Sequence, residues 1–494
     1  MKKYILSIDQ GTTSSRAILF NKKGDLVASA SKEIALIYPK ESYVEQDAVE
    51  IWSSVVDVIN NVLIKANTTW AEVASVGITN QRETTVVWDK KTGTPICNAI
   101  VWQSRQSLAI CEKLSKKETI IHNKTGLLIN PYFSASKIRY ILDHVKGAQA
   151  RAEKGELLFG TIDTWVIWKL TNGKTHATDT TNASRTMLFN IFDLEWDKDL
   201  LEMFNIPSKM LPKVCPSVHD YGKVEYFGRD VHILGVAGDQ QASLFGHTCF
   251  KPGDCKNTYG TGCFMLMNTG DKPILSNNGL LTTIAWTIDG KTTYALEGSV
   301  FIGGAAIQWL RDGIKIIKDA PEVNVLAASV KDNGGVYFVP AFVGLGTPYW
   351  DDEVRGTIFG VTRGTTRGHI ALATLQAIAF QSKDVFDVMS DESQIDIKSL
   401  QVDGGATNSD ILMQFQSDIL QIEITKPSCL ESTALGVCYM AGYKSGFFKG
   451  PQHIKECHSY QKTFTPQMSA ENAKIMAKSW QKAVESARRF KVKS

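Results

Sequence analysis

The chain has 494 residues, 43% of them hydrophobic and 21% charged, and carries a net charge of +3. That length exceeds what one hydrophobic core supports, so two large units are expected; the composition excludes intrinsic disorder, and the near-neutral balance leaves no basic footprint for nucleic acid. Nine cysteines with no Cys-x-x-Cys pair fit free thiols in a reducing compartment, no apolar run reaches the roughly 18 residues of a membrane span, and a strand pattern starting within three residues of Met1 leaves no room for a leader, so a cytoplasmic location is expected.

Residues 4–20 read YILSIDQGTTSSRAILF: an apolar strand ending in Asp9, a turn through Gln10, Gly11, Thr12 and Thr13, and a second strand from Arg16. This is the pattern of a phosphate clamp. Gly11 lets the backbone approach a ligand, Thr12, Thr13 and Ser14 offer hydroxyls and amides to phosphate oxygens, and Asp9 can hold a metal ion through water. No GxxxxGK[ST] occurs, so a P-loop is not the nucleotide site. A helical pattern over 48–66 and strands over 76–79 and 84–88 follow. Arg82 and Glu83 are an adjacent donor and acceptor, suited to two neighbouring hydroxyls. Consecutive strand residues point to opposite faces, so the pair must lie in a turn to act together. The apolar run 233–236 then leads through Ala237-Gly238 to Asp239. A carboxylate at that strand end can take the proton of a hydroxyl, or cap a helix beginning at Gln240.

In the second half, residues 257–268 read NTYGTGCFMLMN, a Tyr-Gly-Thr-Gly turn running into a strand over 263–267. Two such hairpins imply a duplicated unit. Gly303-Gly304 opens a helical pattern over 303–317; each glycine costs about 1 kcal/mol there, a cost explained by close approach to a ligand. A strand over 335–339 and a helix over 369–389 come next. Val402-Asp403-Gly404-Gly405-Ala406 joins an alternating stretch to a helical pattern over 411–419, a turn that can set backbone amides against an adenosine. Residues 470–490 have helical spacing, and the basic end Arg488-Arg489-Phe490-Lys491 reads as a solvated face. The alternation of strands and helices predicts α/β layers, with a border near Gly246 between units 1–246 and 247–494.

The two hairpins, with Gly238-Asp239-Gln240-Gln241 and Asp403-Gly404-Gly405-Ala406, resemble the actin, hexokinase and heat-shock ATPase superfamily, and within it the FGGY family of carbohydrate kinases. Residues 79–88 (TNQRETTVVW), 100–106 (IVWQSRQ), 236–246 (VAGDQQASLFG) and 339–351 (VPAFVGLGTPYWD) carry the likeness, which runs from the first strand to about Gly442. It implies two duplicated actin-like (ribonuclease H-like) domains around a central nucleotide and substrate cleft. The match is to members acting on glycerol, and implies ATP-dependent formation of sn-glycerol 3-phosphate with Mg²⁺ and with Asp239 as general base. By the same resemblance, Arg82, Glu83, Tyr132, Asp239 and Gln240 bind glycerol, while Trp102 and Phe264 wall its carbon skeleton. Thr12, Thr13, Ser14, Arg16, Thr261, Gly304, Gln308 and Gly405 contact ATP, Ser409 stands where the family usually has an asparagine near the adenine, and Asp9 holds the metal. A homo-dimer or tetramer is implied too. Glu225 occupies the place of a regulatory histidine of some relatives, and residues 226–231 do not match their sugar-bisphosphate loop, so neither control is expected. The alternatives are a sibling FGGY kinase acting on a pentulose or other polyol, and a non-kinase actin-like ATPase. The latter would hydrolyse ATP without an acceptor and would have no use for Arg82, Glu83 or Trp102.

Overall fold

The computed structural model describes residues 2–490; Lys491, the last residue of the basic run, lies outside them. Two mixed sheets organise the chain. The first contains β1 (Tyr4–Gln10), β2 (Ser14–Phe20), β3 (Leu26–Glu33), β4 (Val73–Asn80) and β5 (Ile233–Gly238) in the order β5-β4-β1-β2-β3. The second contains β6 (Cys255–Tyr259), β7 (Cys263–Gly270), β8 (Leu281–Ile288), β9 (Lys291–Val300), β10 (Ser399–Asp403), β11 (Glu423–Pro427) and β12 (Tyr460–Phe464) in the order β8-β9-β7-β6-β10-β11-β12. Without β8 and β12 the second sheet has the same order and sense as the first. Each is a three-stranded antiparallel meander whose first strand, β1 or β6, is continued by two parallel strands. The repeat inferred from two hairpins therefore extends to whole sheets.

Strand residues alternate between two cores, as a two-residue period requires. Leu6 and Ile8 pack into the cluster that holds Ile51, Val55 and Val58 of α1 (Ala48–Lys65). Ile5, Ile18 and Ala237 face the other way, into a cluster with Leu435, Val437, Met440 and Ala441. Those four residues belong to a helix of the second half at Ser432–Lys444, so the first sheet is covered on one face by a segment far beyond its last strand at Ile233–Gly238. In chain order the remaining principal helices are α2 (Asp239–Gly246), α3 (Gly304–Asp312), α4 (Arg367–Ser393), α5 (Asp410–Leu420), α6 (Ser432–Lys444) and α7 (Ala470–Arg489). The covering helix is α6. It lies on α2 so closely that a Cβ on Gly436 would overlap the Ala242 carbonyl. Between β4 and β5, residues 81–232 form an insert of short helices and two-stranded sheets.

Several expected boundaries move. β2 begins at Ser14 rather than Arg16, because the Gly11 amide donates to the Ser14 carbonyl at 2.9 Å and closes a tighter turn. Arg16 thus sits inside the strand, directly across from Asp9. α3 ends at Asp312, with Gly313 as its cap, instead of running to 317. The strand expected over 335–339 is reduced to Tyr337–Val339. Asp239 is the first residue of α2, with Gly238 as the cap; its carboxylate accepts from the adjacent Gln240 amide at 2.7 Å.

Candidate active site

Arg82 and Glu83 lie in the turn after β4, as joint action requires, and Glu83 has a φ of 59°. A non-glycine residue in that left-handed region is held by its surroundings: Thr85 and Ser134 hydroxyls donate to the Glu83 carbonyl at 3.1 and 3.0 Å. Both side chains are buried. The Arg82 guanidinium donates to Glu297 through Nη1 at 2.6 Å and Nη2 at 2.8 Å, a bidentate pair. Its Nε lies 3.2 Å from Asp239 Oδ1 and 3.8 Å from Glu83 Oε1. Arg185 completes the cluster, with Nε 2.7 Å from Glu83 Oε1 and Nη2 3.1 Å from Glu297 Oε1.

An aromatic wall closes one side. Trp102 meets Tyr132 edge-on at 5.5 Å between ring centroids and Phe264 at 6.5 Å. Tyr132 comes from the insert and Phe264 from β7, so the wall is built by both halves of the chain. The Trp102 indole donates to the Thr12 hydroxyl at 2.9 Å, which ties this wall to the first hairpin. Gln240 accepts from the buried ammonium of Lys256 at 2.5 Å. That fixes its amide with the oxygen on Lys256 and leaves the NH₂ as the donor for anything in the pocket.

The first hairpin and the second half of the chain border one cavity. Asp9, Gly11, Thr13, Ser14 and Arg16 line one side of a cavity of about 230 Å³, and Thr258, Asp403, Gly404, Leu430, Glu431 and Thr433 line the other. Arg16 reaches Glu431 across it at 2.9 Å, and both side chains are more than a third exposed. Such a pair holds weakly and can open. Thr261 is exposed at the tip of the second hairpin. The Gly304 amide donates to the Gly260 carbonyl at 2.8 Å, so it braces that hairpin. Gln308 is exposed one turn further along α3, and Gly405 is exposed after β10. Ser409 is buried, caps α5 by accepting from the Leu412 amide at 3.1 Å, and donates to Asn324 at 2.5 Å. Its hydroxyl is thereby used within the protein.

Charge placement sets the proton affinities. Burial pushes Asp9 up to about 7 against the opposing pull of Arg16. Asp239 is also raised by burial, with Arg82 and Lys256 acting in the other direction. Its side chain keeps 32% of its surface open, so it remains accessible as a proton acceptor. Burial acts on Glu297 too, but the Arg185 and Arg82 guanidiniums outweigh it and hold the carboxyl at about 2. Burial lowers Lys256 while Asp403 and Asp239 oppose the shift.

Sequence reasoning missed Glu297, Arg185 and Lys256. A trace of two existed, since Glu297 and Arg185 are charged residues inside otherwise apolar or neutral runs whose neighbours are buried, and a buried charge demands a partner.

Models of the FGGY family of carbohydrate kinases match in two parts, the N-terminal domain over residues 4–246 and the C-terminal domain over 255–445. A glycerol kinase of Bacillus cereus (strain AH187) is 57% identical over 496 residues, spanning 99% of this chain and 100% of its own. A crystal structure of Plasmodium falciparum glycerol kinase with ADP superposes with a TM-score of 0.92 at 35% identity, covering 98% of each chain. A gluconate kinase from Lactobacillus acidophilus shares the fold, with a TM-score of 0.88 at 23% identity and 98% of each chain covered.

Proposed function

Because the chain belongs to the FGGY family of carbohydrate kinases, we propose that it transfers the γ-phosphoryl group of ATP to a primary hydroxyl of glycerol, giving sn-glycerol 3-phosphate and ADP. Full-length identity of 57% to a glycerol kinase supports the substrate, and the observation that carries the chemistry is the open Asp239 carboxylate, 3.2 Å from Arg82, whose guanidinium also donates to the Tyr132 hydroxyl of the aromatic wall at 3.4 Å. Phosphoryl transfer asks the protein for alignment, charge compensation and exclusion of water more than for covalent work. Arg82 and Glu83 hold two neighbouring hydroxyls, Tyr132 and Gln240 add further polar contacts, and Trp102 with Phe264 covers the carbon chain. Asp239 accepts the proton of the attacking hydroxyl. Thr12, Thr13, Ser14 and Arg16, answered by Thr261, Gly304, Gln308, Gly405 and Ser409, form the nucleotide side.

The phosphate cavity suits Mg²⁺. Asp9 and Asp403 carboxylates with Thr13, Ser14 and Thr258 hydroxyls are hard oxygen donors, and two carboxylates with water match an ion that keeps much of its hydration. When bound, it supplies charge neutralisation on the phosphate oxygens. Asp9 would hold it. We include in the proposal a cytoplasmic location, domain units 1–246 and 247–494, and a homo-dimer or tetramer, the last testable by sedimentation. Among the described residues no helix is long and apolar enough to cross a membrane.

The test is ADP release by purified protein with Mg²⁺ and ATP, with and without glycerol, against xylulose and ribulose. Strong stimulation by glycerol that is lost in Asp239→Asn is the expected result. Turnover indifferent to glycerol, or stimulated only by a ketopentose, would sink the substrate assignment.

A further inference from the structure

We propose that Glu297 and Arg185 form a positioning pair that sets the orientation of Arg82 and Glu83 toward the substrate. The inference rests on the reading of the cleft as a glycerol site and adds two residues to it. Arg82 ends a long flexible side chain, and its guanidinium is planar. Glu297 engages both terminal nitrogens at 2.6 and 2.8 Å, which fixes the plane and leaves the Nε edge turned toward Asp239. Glu83 is fixed in the same way from its other side. Arg185 engages Oε1 at 2.7 Å, leaving Oε2 to meet a hydroxyl. Glu297 Oε1 receives both guanidiniums, Arg82 at 2.8 Å and Arg185 at 3.1 Å, so one carboxylate ties the two arms together. Arg185 is held in turn over the rings of Tyr132 and Phe133, 5.6 and 5.2 Å from their centroids.

Glu297 stands on β9 in the second half of the chain, whereas Arg82, Glu83 and Arg185 belong to the first. The substrate groups of one half are therefore oriented by a residue of the other. Charge supports the role. Arg82, Arg185 and Lys256 balance Glu83, Glu297 and Asp239 in one buried cluster, and removing Glu297 leaves two guanidiniums facing each other with one carboxylate fewer. Glu297 also faces Asp239 and raises its proton affinity, against Arg82 and Lys256.

The experiment compares full-length wild type, Glu297→Gln, Glu297→Asp and Arg185→Lys for glycerol KM, ATP KM, kcat, the pH profile of kcat/KM and the thermal midpoint. For Glu297→Gln we expect glycerol KM to rise about tenfold or more with ATP KM almost unchanged, since Glu297 holds Arg82 and Arg185 on the substrate side of the cleft. The acid limb of kcat/KM should move to lower pH, because a negative neighbour of Asp239 is gone. Glu297→Asp restores the charge and should return the limb. A folded Glu297→Gln with wild-type glycerol KM and an unmoved limb would overturn the proposal, as would equal losses for glycerol and ATP. If Glu297→Gln does not fold, Arg185→Lys decides: a raised glycerol KM supports the pair and a wild-type value rejects it. A wild type that turns over xylulose but not glycerol overturns the substrate reading instead, and the same comparison is then made on xylulose KM.

Discussion

Asp239 combines two properties that a proton acceptor needs: an open face and a raised proton affinity, the latter caused by burial and moderated by Arg82 and Lys256. Asp239→Asn should lower kcat by about 10² to 10⁴, the range for loss of a general base, with no drop in thermal midpoint. The raised affinity places the acid limb of wild-type kcat/KM above the ordinary carboxylate range, which a pH profile checks directly. A second buried acid makes a stability prediction. Asp163 lies fully buried, accepts from Thr161 and Thr178 hydroxyls at 2.5 and 2.7 Å, and is pushed up to about 7 by burial and by Asp179. Between its ordinary value near 4 and about 7 the folded protein holds a proton that the unfolded chain has released, so stability falls as pH rises through that window. Asp163→Asn should flatten the slope, by at most about 1.4 kcal/mol per pH unit for one proton. Denaturant unfolding at a series of pH values measures it. At this scale the sequence revealed Arg82 and Glu83, an adjacent polar pair just past an apolar strand. It did not reveal Glu297 as their partner, because the pairing spans 215 positions and nothing local encodes such a distance.

Among the elements, the two hairpins were legible because their signals are short-range: an apolar run, a glycine turn, another apolar run. β2 started two residues early for a related reason, since the turn is closed by backbone bonds to which side-chain polarity gives no clue. The contact of α2 with α6 was not legible. Gly436 reads as an unremarkable helical glycine, yet it stands where a methyl group would overlap the Ala242 carbonyl. Gly436→Ala should therefore destabilise the protein by about 1–3 kcal/mol through overpacking, even though alanine is the better helix former. Chemical denaturation checks this, and a neutral or stabilising result would mean that the helices separate without cost. Because α2 carries Asp239 at its first turn, the same substitution should lower activity more than an equally destabilising change elsewhere.

The whole molecule is two similar sheets that border a shared cavity, but the cores do not divide where the repeats do. One cluster contains Ile5, Ile18 and Phe20 from the first sheet together with Leu266, Trp286 and Leu435 from beyond residue 246. Residues 1–246 expressed alone should thus expose the face that α6 covers, bind a hydrophobic dye and be cleaved rapidly by protease. Adding residues 247–494 in trans should reverse both signs if the halves can dock. A fragment 1–246 that resists protease by itself would count against this.

The placement of α6 also orders events in time. A ribosome releases β1 to β4 within the first 80 residues, but the helix that covers them emerges only after residue 444. For most of the chain's synthesis the first sheet waits with one apolar side uncovered. Growing chains would need protection by chaperones throughout that interval, and the end of translation decides whether the first strands reach their final packing.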